Sequence, residues 1–272
     1  MLKKLIVCSA LTALTLGSNV ASASDTSVSV GVKTWINSWK QTDTSGGTTD
    51  TIESDKAIPM VGPTINIRTG GNLFFGASYL ASTSDYGFTV DETFTDPDIG
   101  DVTTKGLITA DRQDLDLIAG MMFTPRFGGF IGYKSINSSQ KADITITTSL
   151  SPPFDVIEIT GDSKDTLRGP GFGIMGNIPL GESPAVLYGS LAVMFLKDET
   201  TFSDGSPSES ADVSGASIEL GVAFTINPQI SANVGIKVQS FSGDGEDPDT
   251  GVKSGTVETE FSGLTAGINY NF

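Results

Sequence analysis

Leu264-Thr265-Ala266-Gly267-Ile268-Asn269-Tyr270-Asn271-Phe272 closes the chain. Its apolar members, Leu264, Ala266, Ile268, Tyr270 and Phe272, fall at every second position, with Gly, Thr and Asn between them. Successive side chains of a β-strand point to opposite faces, so this spacing predicts a strand with one apolar face and one small or polar face. A helix would need apolar residues three and four positions apart.

The pattern recurs upstream. Ile218, Leu220, Val222, Phe224 and Ile226 oppose Ser217, Glu219, Gly221, Ala223 and Thr225, and Ile230, Ala232, Val234, Ile236 and Val238 oppose Ser231, Asn233, Gly235, Lys237 and Gln239. Fainter alternations start at Val28, Val61, Leu73 and Leu115. Runs 127–139, 166–180 and 185–197 complete ten strands, but glycines and apolar residues occupy both phases there, which leaves their facing open. Four connections are tight and carry turn chemistry: Thr69-Gly70-Gly71-Asn72, Thr124-Pro125-Arg126-Phe127, Gly181-Glu182-Ser183-Pro184 and Asn227-Pro228. Five are long and polar, at 40–57, 84–111, 140–165, 198–212 and 242–260. Within 140–165, the strand-like segments 143–147 and 155–160 predict a β-arm.

Long strands with one apolar face, joined by short turns on one side and long loops on the other, are the pattern of a membrane-spanning barrel. In lipid only helices and closed barrels satisfy every backbone donor and acceptor, and no apolar run of helix-spanning length follows the first residues. The fold class expected is therefore all-β: a transmembrane, antiparallel, up-and-down β-barrel of about ten strands. It has short periplasmic turns and five long acidic extracellular loops. A soluble β-sandwich of the same length would have no reason for the strict alternation of short and long connections.

The N-terminus is read separately. Lys3 and Lys4 precede an apolar stretch from Leu5 to Gly17, and Ala21-Ser22-Ala23 offers a small-x-small cleavage site, so residues 1–23 are expected to be a secretory signal and 24–272 the barrel domain. Cys8, the single cysteine, lies in the segment to be removed, so neither a disulfide nor a thiolate metal site is expected.

Signal, alternation, turn asymmetry and the Tyr270-Asn271-Phe272 end together resemble Gram-negative outer-membrane β-barrel proteins across the whole mature chain, without a motif of any narrower family. The resemblance implies location in the outer membrane, with its lipid and lipopolysaccharide as surroundings. It also implies insertion by the barrel-assembly machinery, which reads the terminal strand, here through Tyr270 and Phe272.

Charge is distributed unevenly. The five long connections hold 27 of the 32 Asp and Glu residues in a chain of net charge −16. Such a rim keeps exposed loops and strand edges soluble, or attracts cations, including divalent ions bridging to lipopolysaccharide. No nucleic-acid partner is expected of so acidic a chain. Asp244, Glu246, Asp247 and Asp249 form the densest cluster and a weak calcium candidate, because their spacing lacks an EF-hand register. The strand phases turn Lys33, Arg68, Arg112, Asp114, Asp116, Lys134, Glu219 and Lys237 inward. Charges at membrane depth must face water or each other, so these either pair into a network that plugs a narrow lumen or line a thin pore. Asp114 and Asp116, neighbours on one face, could alternatively serve as a catalytic carboxylate pair. Trp35 and Trp39 share the inward phase and predict packing under the loops or a stacking platform at the mouth.

The chain contains no histidine. Barrel enzymes of similar size, such as the omptin proteases, rely on one for acid–base work near neutral pH. The expectation is thus a non-enzymatic barrel without cofactor, in a structural or surface-interaction role with a largely plugged lumen. The alternative is a narrow, cation-preferring channel or small-solute transport barrel.

Overall fold

The computed structural model describes residues 26–45, 48–54, 56–96, 100–148, 156–203, 209–246 and 253–272. The expected signal segment 1–23 lies outside them.

Twelve strand segments form one antiparallel sheet: β1 (Ser27–Ser45), β2 (Thr48–Glu53), β3 (Ile58–Arg68), β4 (Leu73–Ser82), β5 (Tyr86–Asp96), β6 (Gly100–Thr124), β7 (Phe127–Thr148), β8 (Val156–Pro179), β9 (Ala185–Phe202), β10 (Glu209–Asn227), β11 (Ile230–Glu246) and β12 (Lys253–Asn271). β1 pairs with β2 and β3, β3 with β4, β4 and β5 with β6, and β6 through β12 each with the next, while β12 pairs with β1 from Ser29↔Asn271 to Ser45↔Gly255, closing a barrel. The ring has ten strands because β2 continues β3 and β5 continues β4 across short interruptions. The pairing of β1 passes from β2 at Lys40↔Glu53 to β3 at Asn37↔Ile58, and 83–85 interrupt the pairing with β6. Above those interruptions β2 pairs only with β1, and β5 only with β6, so the upper wall has a seam between them. Trp39 of β1 stacks on Phe88 of β5 across it, ring centres 5.5 Å apart.

The four short connections fall where turn chemistry predicts. Gly181 takes the left-handed φ of 66° that lets the chain reverse between β8 and β9. The β-arm expected within 140–165 is present, with Asp143–Thr147 paired to Val156–Thr160, and the other long connections differ from expectation. Most of their length continues as paired strand rather than loop, with β6 and β7 paired from Val102↔Thr148 to Thr124↔Phe127. Thr, Ser, Val and Ile dominate these stretches, and pairing satisfies backbone groups that a long open loop would leave to water. The described acidic residues of these connections, Asp85 apart, therefore stand on β-arms.

Outward-facing residues of the lower half form a continuous apolar belt. Val32 and Ile36, Leu73 and Phe75, Leu117 and Met121, Ile131, Phe172 and Ile174, Leu191 and Phe195, Ile218 and Leu220, Val234 and Ile236, and Leu264 and Ile268 are all more than a third exposed. On β12 the belt runs from Leu264 to Phe272, about 26 Å of strand, which at the usual barrel tilt makes a band about 20 Å tall. A ring of exposed apolar surface on that scale is unstable in water and suited to a bilayer. Its lower edge is aromatic: Phe123 and Phe127 lie 5.9 Å apart, Tyr270 and Phe272 4.9 Å apart.

The barrel interior is filled rather than hollow. Trp35, Ile58, Met60, Leu80, Phe241 and Phe261 build an upper apolar layer. Phe74, Met122 and Met175 build a smaller one near the short turns.

Candidate functional site

Between those apolar layers the inward charges meet. Lys33 of β1, Arg112 and Asp114 of β6, Lys134 of β7, Glu219 of β10 and Lys237 of β11 are buried, and Asp116 of β6 is largely so. Each reaches the interior because strand alternation turns every second residue inward.

Five of them form a ladder of alternating sign. The Arg112 fork grips Asp114, Nε to Oδ1 at 2.6 Å and Nη2 to Oδ2 at 2.8 Å. Lys134 Nζ then donates to Asp114 Oδ2 at 3.2 Å and to Asp116 Oδ1 at 2.8 Å. Lys237 Nζ follows, 3.6 Å from Asp116 Oδ2. The Arg112 end is covered by the Phe261 ring, 3.4 Å from the guanidinium carbon, and by Gln239 Oε1 at 3.3 Å. A separate pair spans the lumen, Lys33 Nζ to the two Glu219 oxygens at 2.9 and 2.8 Å. Tyr188 and Thr265 hydroxyls donate to Glu219 Oε1 at 3.3 and 3.4 Å.

Buried charges are tolerated when paired and hydrogen-bonded, and most of these are. Space for the network comes from glycine. Gly221 and Gly235 face each other in register, and a Cβ on Gly221 would sit 2.6 Å from the Tyr188 hydroxyl. Between the ladder and the wall made by β7, β8 and β9 lies a cavity of about 130 Å³.

Several expected residues stand elsewhere. Arg68 is half-buried near the short turns and forms no ion pair among the described residues. Arg168, whose facing sequence left open, is exposed and pairs with Glu199 at 2.6 Å. Trp35 is completely buried under the upper arms, with Lys237 Nζ 4.8 Å from its ring centre. Lys134 lies between Asp114 and Asp116, so these neighbouring carboxylates share a cation. Of the calcium candidates, Asp244 is described, whereas the Glu246 side chain, Asp247 and Asp249 lie outside the described residues.

Three participants were not legible. Tyr188 falls in the stretch of ambiguous phase, and Gln239 and Phe261 carry no charge to single them out. An acidic pair above the belt was also missed. Asp165 of β8 accepts from Gln140 Nε2 and from Thr200 Oγ1, the latter at 2.9 Å. Asp198 of β9 has a buried Oδ1 without a hydrogen-bond partner. Burial raises the Asp165 pKa, and burial together with the charge of Asp165 lifts that of Asp198 to about 6.

No family model and no curated protein matches the sequence. Solved folds do match. The outer membrane protease OmpT of Escherichia coli aligns at TM-score 0.61 and 14% identity, over 90% of this chain and 97% of that one. Neisserial surface protein A gives 0.33 at 11% identity, over 92% and 98%. OprG of Pseudomonas aeruginosa gives 0.33 at 14%, over 92% and 96%. The last two scores are too low to argue from, and the likeness to the protease is one of fold alone. With the closed ring and the apolar belt, it identifies an integral β-barrel of the Gram-negative outer-membrane type.

Proposed function

We propose that this barrel is non-enzymatic, with a lumen closed by its own side chains and a surface role carried by its acidic β-arms. The observation behind the reading is the ladder from Arg112 to Lys237, which with the Lys33–Glu219 pair occupies the lumen between two apolar layers. Opening a path would require parting several buried ion pairs at once, each expensive to break. The absence of histidine and the engagement of Asp114 and Asp116 by Lys134 argue against acid–base catalysis. The arms carry most of the net charge of −16, and their partners are the outer leaflet, through divalent cations bridging to lipopolysaccharide, or proteins bearing cationic surfaces. Tyr270 and Phe272 serve the barrel-assembly machinery.

A cation-preferring channel is the second reading, favoured by the acidic rim. Against it, the buried lumen holds Lys33, Arg112, Lys134 and Lys237 but only Asp114, Asp116 and Glu219. Planar-bilayer recording of the purified protein separates the two. The closed-lumen reading expects no steady openings at any voltage. Steady cation-selective openings that Glu219→Gln abolishes would establish the channel instead.

A further inference from the structure

The alternating ladder has a cation at both ends. Arg112, Asp114, Lys134, Asp116 and Lys237 amount to three positive charges against two negative, and the Lys33–Glu219 pair is already balanced. The Arg112 end is covered by Phe261 and Gln239, with Nη1 buried and without a hydrogen-bond partner, and it does not line the cavity. The Lys237 end is different. Its ammonium, with three donors to place, meets one carboxylate oxygen at 3.6 Å and the face of Trp35, and donates no hydrogen bond among the described residues. The residue is 6% exposed, and it lines the 130 Å³ cavity.

That cavity is lined by Lys134 and Lys237 with the carboxylates Asp116 and Glu219, and by apolar side chains that include Phe130, Met175, Met194 and Ala192. Gly132 and Gly171, paired across β7 and β8, keep its wall thin. Its volume is close to that of engineered apolar cavities of about 150 Å³ that admit benzene. The buried cations Lys33, Arg112, Lys134 and Lys237 exceed the carboxylates Asp114, Asp116 and Glu219 by one, and the cation left with one long ion pair opens on a cavity with apolar lining. That combination is the complement of one ligand class.

We infer that the lumen cavity is a binding site for a small monocarboxylate with a compact apolar body of about benzene size. Its carboxylate pairs with Lys237 and its body packs among Phe130, Met175 and Met194. One added negative charge balances the buried charges, and the apolar lining disfavours a bare inorganic anion. Occupancy does not require flow through the barrel, so the site is independent of the closed-lumen reading. Steady conductance would overturn that reading and leave this one standing.

The test is titration calorimetry of the full barrel in detergent micelles, with benzoate as probe and benzyl alcohol as its uncharged counterpart. Expected is saturable one-to-one binding of benzoate, at least about tenfold tighter than benzyl alcohol, as a charge-assisted pair in a dry site provides. Lys237→Gln should reduce benzoate to the level of benzyl alcohol and leave the alcohol unchanged, while Lys237→Arg keeps the preference. Equal affinity for the two probes, no saturable binding, or benzoate binding indifferent to Lys237→Gln would overturn the assignment. Should the Gln variant fail to fold, Ala192→Leu fills the cavity from β9 with the ladder intact. It should abolish benzoate binding, and retained binding would equally overturn the site.

Discussion

At the scale of single residues, Asp114 decides whether the ladder holds. It accepts from Arg112 at 2.6 and 2.8 Å and from Lys134 at 3.2 Å, and it is almost completely buried. Asp114→Asn removes the only charge between two buried cations, and breaking a buried pair from one side costs about 3–5 kcal/mol. Replacing Arg112 by Met and Asp114 by Leu together removes one charge of each sign. That double change should cost less than the single one, read as urea midpoints of the detergent-refolded barrel. A double variant as unstable as Asp114→Asn would mean that packing around Arg112, rather than charge balance, sets the cost. The inward direction of these charges was legible, because Arg112, Asp114 and Asp116 keep one phase through β6. Their partners were not. Lys33 and Glu219 are 186 residues apart and meet only because the ring closes. Tyr188 was hidden for a different reason: Gly189, Ala192 and the apolar residues of β9 occupy both faces, and period-2 contrast vanishes.

Among elements, legibility followed the solvent on each side. β10, β11 and β12 face lipid outside and polar or small groups inside, so their alternation is strict. β7 and β8 wall the cavity with Gly132, Gly171 and Gly176, and a glycine face carries no hydrophobic signal. The upper arms other than the one within 140–165, read as loops, have two wet faces; without an apolar face their Thr- and Ser-rich strands look like linkers. On those arms β8 and β9 hold Asp165 and Asp198 together, which makes the pairing of the two strands pH-dependent. The Asp198 pKa rises from the ordinary value of about 4 to about 6. The folded arm therefore binds more protons than the open one between those values. Its stability is full below about pH 4, falls as pH rises toward 6, and is flat above. Amide exchange around Arg168 and Glu199, corrected for the intrinsic rate, should show protection declining over that window. Asp198→Asn should lessen the decline and raise protection at neutral pH, leaving the part that burial of Asp165 contributes. Protection that rises with pH, or a decline unchanged by the substitution, would mean the acidic pair does not govern the arm.

For the whole molecule, closure and insertion separate into two physical problems that converge on the last residue. Closure rests on the backbone ladder of β1 with β12, which ends where the Phe272 amide donates to Val28 O at 2.8 Å. The Phe272 side chain adds little to it, being 77% exposed and touching the Tyr270 ring at 4.9 Å on the lipid side. A backbone donor survives any substitution except proline, whereas the ring belongs to the apolar outer surface that an assembly factor meets before lipid does. Phe272→Ser should accordingly refold in detergent with a stability within about 1 kcal/mol of the parent, because an exposed ring has little burial to lose. The same substitution should lower severalfold the amount of folded barrel recovered from the outer membranes of cells producing it. Normal recovery from cells would remove the role assigned to the terminal ring in assembly. A large loss of stability in detergent would instead place that ring in the closure of the barrel, contrary to its exposure. The contrast works because the closing strand holds its contacts with different atoms: inward Thr265 bonds Glu219, the backbone bonds β1, and Tyr270 and Phe272, to which we assign the assembly role, are left to the outside.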